Sequence, residues 1–98
     1  MKPSSEPELG TWDQIETGVG NPCRLRILRA LIRSPNKPLT RHLLQKRTLL
    51  NPREVKKHLE VLLELGWLEE IPYKPQKYKI NQHNEDVRRV VDFLRPYL

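Results

Sequence analysis

Apolar residues return every three or four positions along most of this chain, the period of a helix with one buried side. Leu25, Leu28 and Ile32 make one such stripe, widened by Ile27 and Leu31. Leu43 and Leu44 mark a shorter helix, through about Arg47. Val55, Leu59, Leu62 and Leu63 make a third stripe, and Val87, Val90, Val91 and Leu94 a last one, over about 85–94. Trp12, Ile15 and Val19 have the same spacing over a turn or two that Gly18 and Gly20 are expected to end. The period breaks between the last two long stripes. Trp67 to Ile71 and Tyr78 to Ile80 read as strands, joined by the proline-stiffened basic tip Pro72-Tyr73-Lys74-Pro75-Gln76-Lys77. That tip is too long for a two-residue turn and predicts a wider loop.

Local chemistry places the helix starts. Asn21-Pro22 and Asn51-Pro52 each put a good capping side chain before a proline, whose missing N–H is harmless at the first helical position. Thr40 is a third cap, and Glu54 stands three residues after Asn51, where a reciprocal capping-box contact is expected. Ser34-Pro35 stops the first long helix and Gly66 the third. The predicted order is helix, helix, helix, strand, strand, helix, with a short turn between the middle helices. The fold class is therefore mainly α with a small β-hairpin (α+β): a winged helix-turn-helix with a three-helix core, a two-stranded wing and a C-terminal helix. Residues 1–8, rich in Pro, Ser and Glu, are expected to be a disordered tail, 9–82 the domain, and 83–98 a C-terminal helix used for dimerisation.

Charge sharpens this picture. The 98 residues carry a formal +6, which directs attention to anionic partners. Residues 37–57 hold Lys37, Arg41, Lys46, Arg47, Arg53, Lys56 and Lys57 against Glu54 alone, and residues 58–72 hold Glu60, Glu64, Glu69 and Glu70 with no cation. The helix from Asn51 is thus positive at its start and negative at its end. The helix dipole prefers the reverse by roughly 0.3–1 kcal/mol per exposed charge. At about 100° per residue, Arg53 and Lys57 lie opposite Val55 and Leu59, with Lys56 on the flank. A recognition helix enters the major groove by its first turns, and charge of this order suits that geometry. The plainer reading is a solvated face with a Lys56–Glu60 pair.

Two stretches resemble a known family. VKKHLEVLLELGWLEE, from Val55 to Glu70, is similar to the recognition-helix-to-wing segment of arsenic-repressor-like (ArsR) winged helix-turn-helix proteins, with Val55, Lys57, His58, Leu59, Leu62 and Gly66 in register. Asn21-Pro22-Cys23-Arg24-Leu25-Arg26-Ile27-Leu28 resembles the same family's Asp/Asn-Pro-x-Arg-x-x-Ile-Leu helix start. The resemblance covers about residues 20–82. It implies a sequence-specific DNA-binding transcriptional regulator, expected to be a repressor. Helix 51–65 would lie in the major groove, and wing 72–78 on the backbone or minor groove. The expected contacts with double-stranded DNA are Arg41, Lys46, Arg47 and Thr48 from the preceding helix and turn, Asn51, Arg53, Lys56 and Lys57 from the recognition helix, and Lys74, Gln76 and Lys77 from the wing. The resemblance also gives His58 a packing role.

The chain departs from the pattern in ways that matter. The family's metal sensors carry Cys-x-Cys on the first helix of the motif, where this chain has Leu43-Leu44-Gln45-Lys46-Arg47. Their other site needs paired Asp and His on the last helix, where only His83 is offered, near its start. No metal and no cofactor are expected. Leu49 stands where glycine is usual in the turn, and Pro52 replaces a polar recognition position. Cys23, the single cysteine, excludes an internal disulfide and is expected to pack without chemistry.

Apolar helices near both ends suggest a two-fold homodimer through Trp12, Ile15, Val87, Val90, Val91 and Leu94. No Ser-His-Asp or Cys-His arrangement, phosphate loop or carboxylate pair points to an enzyme. No apolar run approaches the ~18 residues of a membrane span, and MKPSSEPELG lacks the apolar stretch of a secretory leader. A cytoplasmic protein is expected. The rival reading is a winged helix used for protein association in a transcription or replication assembly, with RNA binding a third.

Overall fold

The computed structural model describes residues 9–72 and 74–98. The tail expected over 1–8 and the tip residue Tyr73 lie outside them. The elements are α1 (Leu9–Val19), α2 (Pro22–Ile32), β1 (Leu39–Thr40), α3 (Arg41–Thr48), α4 (Pro52–Glu64), β2 (Leu68–Ile71), β3 (Lys77–Ile80) and α5 (Glu85–Leu94), closed by a 3-10 turn, Arg95–Tyr97.

The helix starts follow their caps. Asn21 Oδ1 accepts from Cys23 N and Arg24 N, Thr40 Oγ1 from Leu43 N, Asn51 Oδ1 from Glu54 N, and Asn84 Oδ1 from Val87 N. Each satisfies donors that the first helical turn leaves orphaned. Gly66 closes α4 at φ +79°, a conformation glycine adopts without a steric penalty.

Two expectations change. The sheet has three strands rather than two, in the order β1-β3-β2 and antiparallel throughout. Leu39 and Thr40 pair with Tyr78 and Lys77, so the residues leading into α3 also tie it to the hairpin. Two residues carry no alternation by which sequence reading could find a strand. Helix α1 runs through Gly18 rather than ending there. A Cβ at Gly18 would overlap the Trp67 ring, so the missing side chain lets α1 close on that indole.

The core gathers Ile27, Leu28 and Leu31 of α2, Leu44 of α3, Val55, Leu59 and Leu62 of α4, and Leu39 and Trp67 from the sheet side. All are at most 2% exposed. Helix α2 packs on both α3 and α4. That packing holds the exposed side of α4 away from the core.

Candidate nucleic-acid interface

Arg53, Lys56 and Lys57 are exposed on the first two turns of α4. None has a carboxylate within 4 Å among the described residues, so the Lys56–Glu60 pair is not made there. The first turn holds one acid, Glu54, and the last turn no base. Three uncompensated cations therefore stand at the positive end of the helix dipole.

Glu54 does not complete a capping box. Its Oε1 lies 3.1 Å from His58 Nε2, one turn along. Arg24 Nε donates to His58 Nδ1 at 3.1 Å, and Arg24 Nη1 donates to Thr17 O at 2.6 Å. With Nδ1 accepting, a neutral imidazole carries its proton on Nε2 and donates it to Glu54. His58 is 1% exposed. The relay Arg24–His58–Glu54 thus fastens the start of α4 to α2, and through Thr17 to the end of α1. The family resemblance gave His58 a packing role; a partner 34 residues away could not be read from the spacing of α4.

The other expected contacts divide. Arg41 begins α3, Gln76 and Lys77 stand at the hairpin, and all three are exposed. Arg41, Lys56 and Gln76 line one recess of about 250 Å³ between α3, α4 and the hairpin, with Glu60, Glu70 and Tyr78. Tyr78 is buried at its base, and its phenol is pushed above its ordinary range by burial and by the Glu70 carboxylate, against a smaller opposing pull from Arg41. Lys74 is exposed at the hairpin tip, and Lys46 on the last turn of α3. Arg47 turns towards α2, where its Nη1 donates to Ser34 Oγ at 2.9 Å.

Thr48 is a correction. It is 5% exposed, its Oγ1 donates to Leu44 O at 2.6 Å, and the same oxygen accepts from Leu50 N at 3.3 Å. Its hydroxyl shapes the turn and does not face a phosphate. Asn51 caps α4 through Oδ1, while its side chain remains exposed.

No family model matches this chain, and no curated protein matches it. Solved structures do. The homodimeric winged helix-turn-helix DNA-binding domain of Mb0332 from Mycobacterium bovis, a possible ArsR-family transcriptional regulator, superposes with a TM-score of 0.74 at 20% identity, over 99% of this chain and 86% of that one. The transcriptional repressor BigR from Xylella fastidiosa gives 0.77 at 16% identity, over 100% and 97%. NolR from Sinorhizobium fredii gives 0.77 at 17% identity, over 99% and 93%. The fold is a winged helix-turn-helix. In that frame α3 and α4 form the helix-turn-helix, and β2 and β3 the wing.

The ends of the winged helix depart from expectation. Val87 is 0% exposed and Val90 8%, so both belong to the core of their own chain and leave little or no surface for a partner. The stripe on α5 was visible in the sequence, but not which part of it the domain would cover. Val91, Leu94 and Ile15 are half-buried, and Trp12 is 59% exposed. Phe93 and Tyr97 are exposed too, with ring centroids 5.8 Å apart. They fall off the α5 stripe, and sequence reasoning passed over them. No helix among the described residues is long and apolar enough to cross a membrane.

Cys23 is half-buried beside Glu54 and His58, with one ligand-type atom of each within 4.8 Å of the others. Residues so far apart in sequence gave no ligand spacing to read. Both ring nitrogens of His58 are engaged, one by a guanidinium, so a metal would have to break the relay.

Proposed function

We propose that this chain is a sequence-specific DNA-binding transcriptional regulator that works as a homodimer. The observation that carries the reading is the set of exposed cations Arg53, Lys56 and Lys57, unpaired among the described residues, at the dipole-opposed start of α4. Helix α4 enters the major groove by these turns. Arg53 addresses a guanine edge, and Lys56 and Lys57 address phosphate or base. Arg41 reaches a phosphate from the start of α3. Lys74, Gln76 and Lys77 hold the wing on the backbone or minor groove. Repression follows from occupancy of a promoter, as befits a fold shared with a protein named a transcriptional repressor.

A second copy docks on the apolar ends of the chain, through Trp12, Ile15, Val91 and Leu94, with Phe93 and Tyr97 added. A two-fold pair of α4 helices then meets successive major grooves about 34–36 Å apart. The role is regulatory and cytoplasmic, without catalysis, metal or cofactor.

The test is DNA affinity by fluorescence anisotropy across a salt series. A DNA sequence selected by the protein should lose affinity steeply with salt. Lys56→Ala/Lys57→Ala should lower the log–log slope by about 2, near 0.9 for each phosphate that is no longer neutralised. Affinity indifferent to both salt and substitution rejects the reading.

A further inference from the structure

A second basic feature lies apart from the α4 surface. Arg26, Arg29 and Arg33 follow one another at three- and four-residue steps along α2 and so share a face. Arg47 reaches across from the last turn of α3, held there by Ser34. Together they line a concave space of about 550 Å³ floored by Ala30 and Thr48, with no carboxylate among its lining residues. Four guanidiniums around one recess repel each other, and no acid among the described residues of its wall offsets them. The wall is also well defined, because Thr48 is buried and bonded to Leu44 O. Its rim is Leu49, 86% exposed at φ +63°. A branched side chain in the left-handed region costs roughly 1–2 kcal/mol, and such strain persists where local structure or function demands it.

We propose that this is a phosphate-binding pocket. Guanidinium is planar, always charged and matched to two phosphate oxygens at once, which makes a lining whose cations are all arginine more selective than one with lysines of equal charge. The space is larger than one phosphate needs and falls within the size of small-ligand sites, so it suits two linked phosphates. Two sources carry that chemistry. One is a free diphosphate-bearing metabolite. The other is the nucleic-acid backbone flanking the recognition site, since Leu49 stands two residues before Asn51, the cap of α4. The second source rests on the DNA reading; the first does not.

The experiment compares the intact chain with an Arg29→Gln/Arg33→Gln variant in two assays at ~0.15 M salt. Calorimetry with inorganic pyrophosphate and with ADP tests the free ligand. Anisotropy with a short selected duplex, and with one extended by about one helical turn at each end, tests the flank. Binding of pyrophosphate or ADP tighter than about 1 mM, weakened roughly tenfold or more in the variant, assigns a metabolite. Tighter binding of the long duplex, lost in the variant while the short duplex is bound as before, assigns the backbone. The absence of both effects overturns the proposal. Lys56→Ala/Lys57→Ala separates it from the DNA reading, because that variant should weaken both duplexes alike and leave pyrophosphate untouched. A chain that takes pyrophosphate but no duplex keeps the pocket and loses the regulator.

Discussion

The two basic regions of this molecule are built in opposite ways. On α4 and the wing the charge is spread over an exposed helix start and hairpin and is mostly lysine, carried by Lys56, Lys57, Lys74 and Lys77, with the acids Glu60 and Glu70 beside Lys56 in the shallow recess between them. Between α2 and the turn after α3 it is concave and all arginine, with no carboxylate lining it among the described residues. Flexible ammonium groups spread over an exposed surface suit a continuous anion met in many registers. Planar guanidiniums grouped around a hollow suit a discrete anionic group. Both regions are positive; the spread and the type of the side chains are what distinguish them.

Three substitutions sharpen the comparison. The largest effect is expected for His58→Ala, which leaves Arg24 and Glu54 without their shared partner at the buried root of α4. Stability should fall by about 2–3 kcal/mol in a denaturant titration, because a buried hydrogen-bonding group and the space it filled are both removed. Under conditions where the variant stays folded, DNA affinity should drop while pyrophosphate binding holds. Equal loss of both would show that the two regions are not independent. A smaller effect of opposite sign is expected for Leu49→Gly. It relieves the left-handed strain and should stabilise the chain by about 1 kcal/mol, partly offset by glycine's greater freedom when unfolded. If the leucine rim touches the pocket's ligand, the gain in stability comes with weaker binding in the Arg29/Arg33 assays.

The smallest effect concerns Tyr78, beneath the recess of Arg41, Lys56 and Gln76. Its folded phenol holds its proton to higher pH than an unfolded one, chiefly because it is buried and secondarily because of Glu70. The stability this confers is complete below the ordinary tyrosine value near 10 and is lost as pH rises from there through the raised value. Denaturant midpoints between about pH 9 and 11 should therefore fall more steeply in the wild type than in Tyr78→Phe. Parallel curves would mean that ionisation there does not load the fold.

Much of the fold was legible because its signals are local. Asn21-Pro22, Thr40 and Asn51-Pro52 announce helix starts within a few residues, and the stripe Val55-Leu59-Leu62 announces a buried side within two turns. The exposed cations of α4 were legible for the same reason. What stayed hidden depends on distance along the chain. Strand β1 exists only because Leu39 meets Tyr78. His58 finds its role only when Arg24 arrives from α2. Arg47 read as a neighbour of the recognition helix, yet Ser34 draws it to the opposite pocket. Val87 and Val90 read as interface because a stripe shows that a face is apolar, not whether its own domain or another chain covers it.

The close approach that Gly18 permits has an optical consequence. Trp67 lies sealed under α1, fully buried, while Trp12 on that same helix is 59% open to solvent. The chain has two tryptophans, one dry and one wet. Iodide in solution should quench the second and spare the first. Pairing of two copies through α1 would darken no ring but would shield the wet one, whereas detachment of α1 would expose the dry one and shift its emission to the red. One emission spectrum, read with and without quencher, thus tells assembly from unfolding without any attached dye.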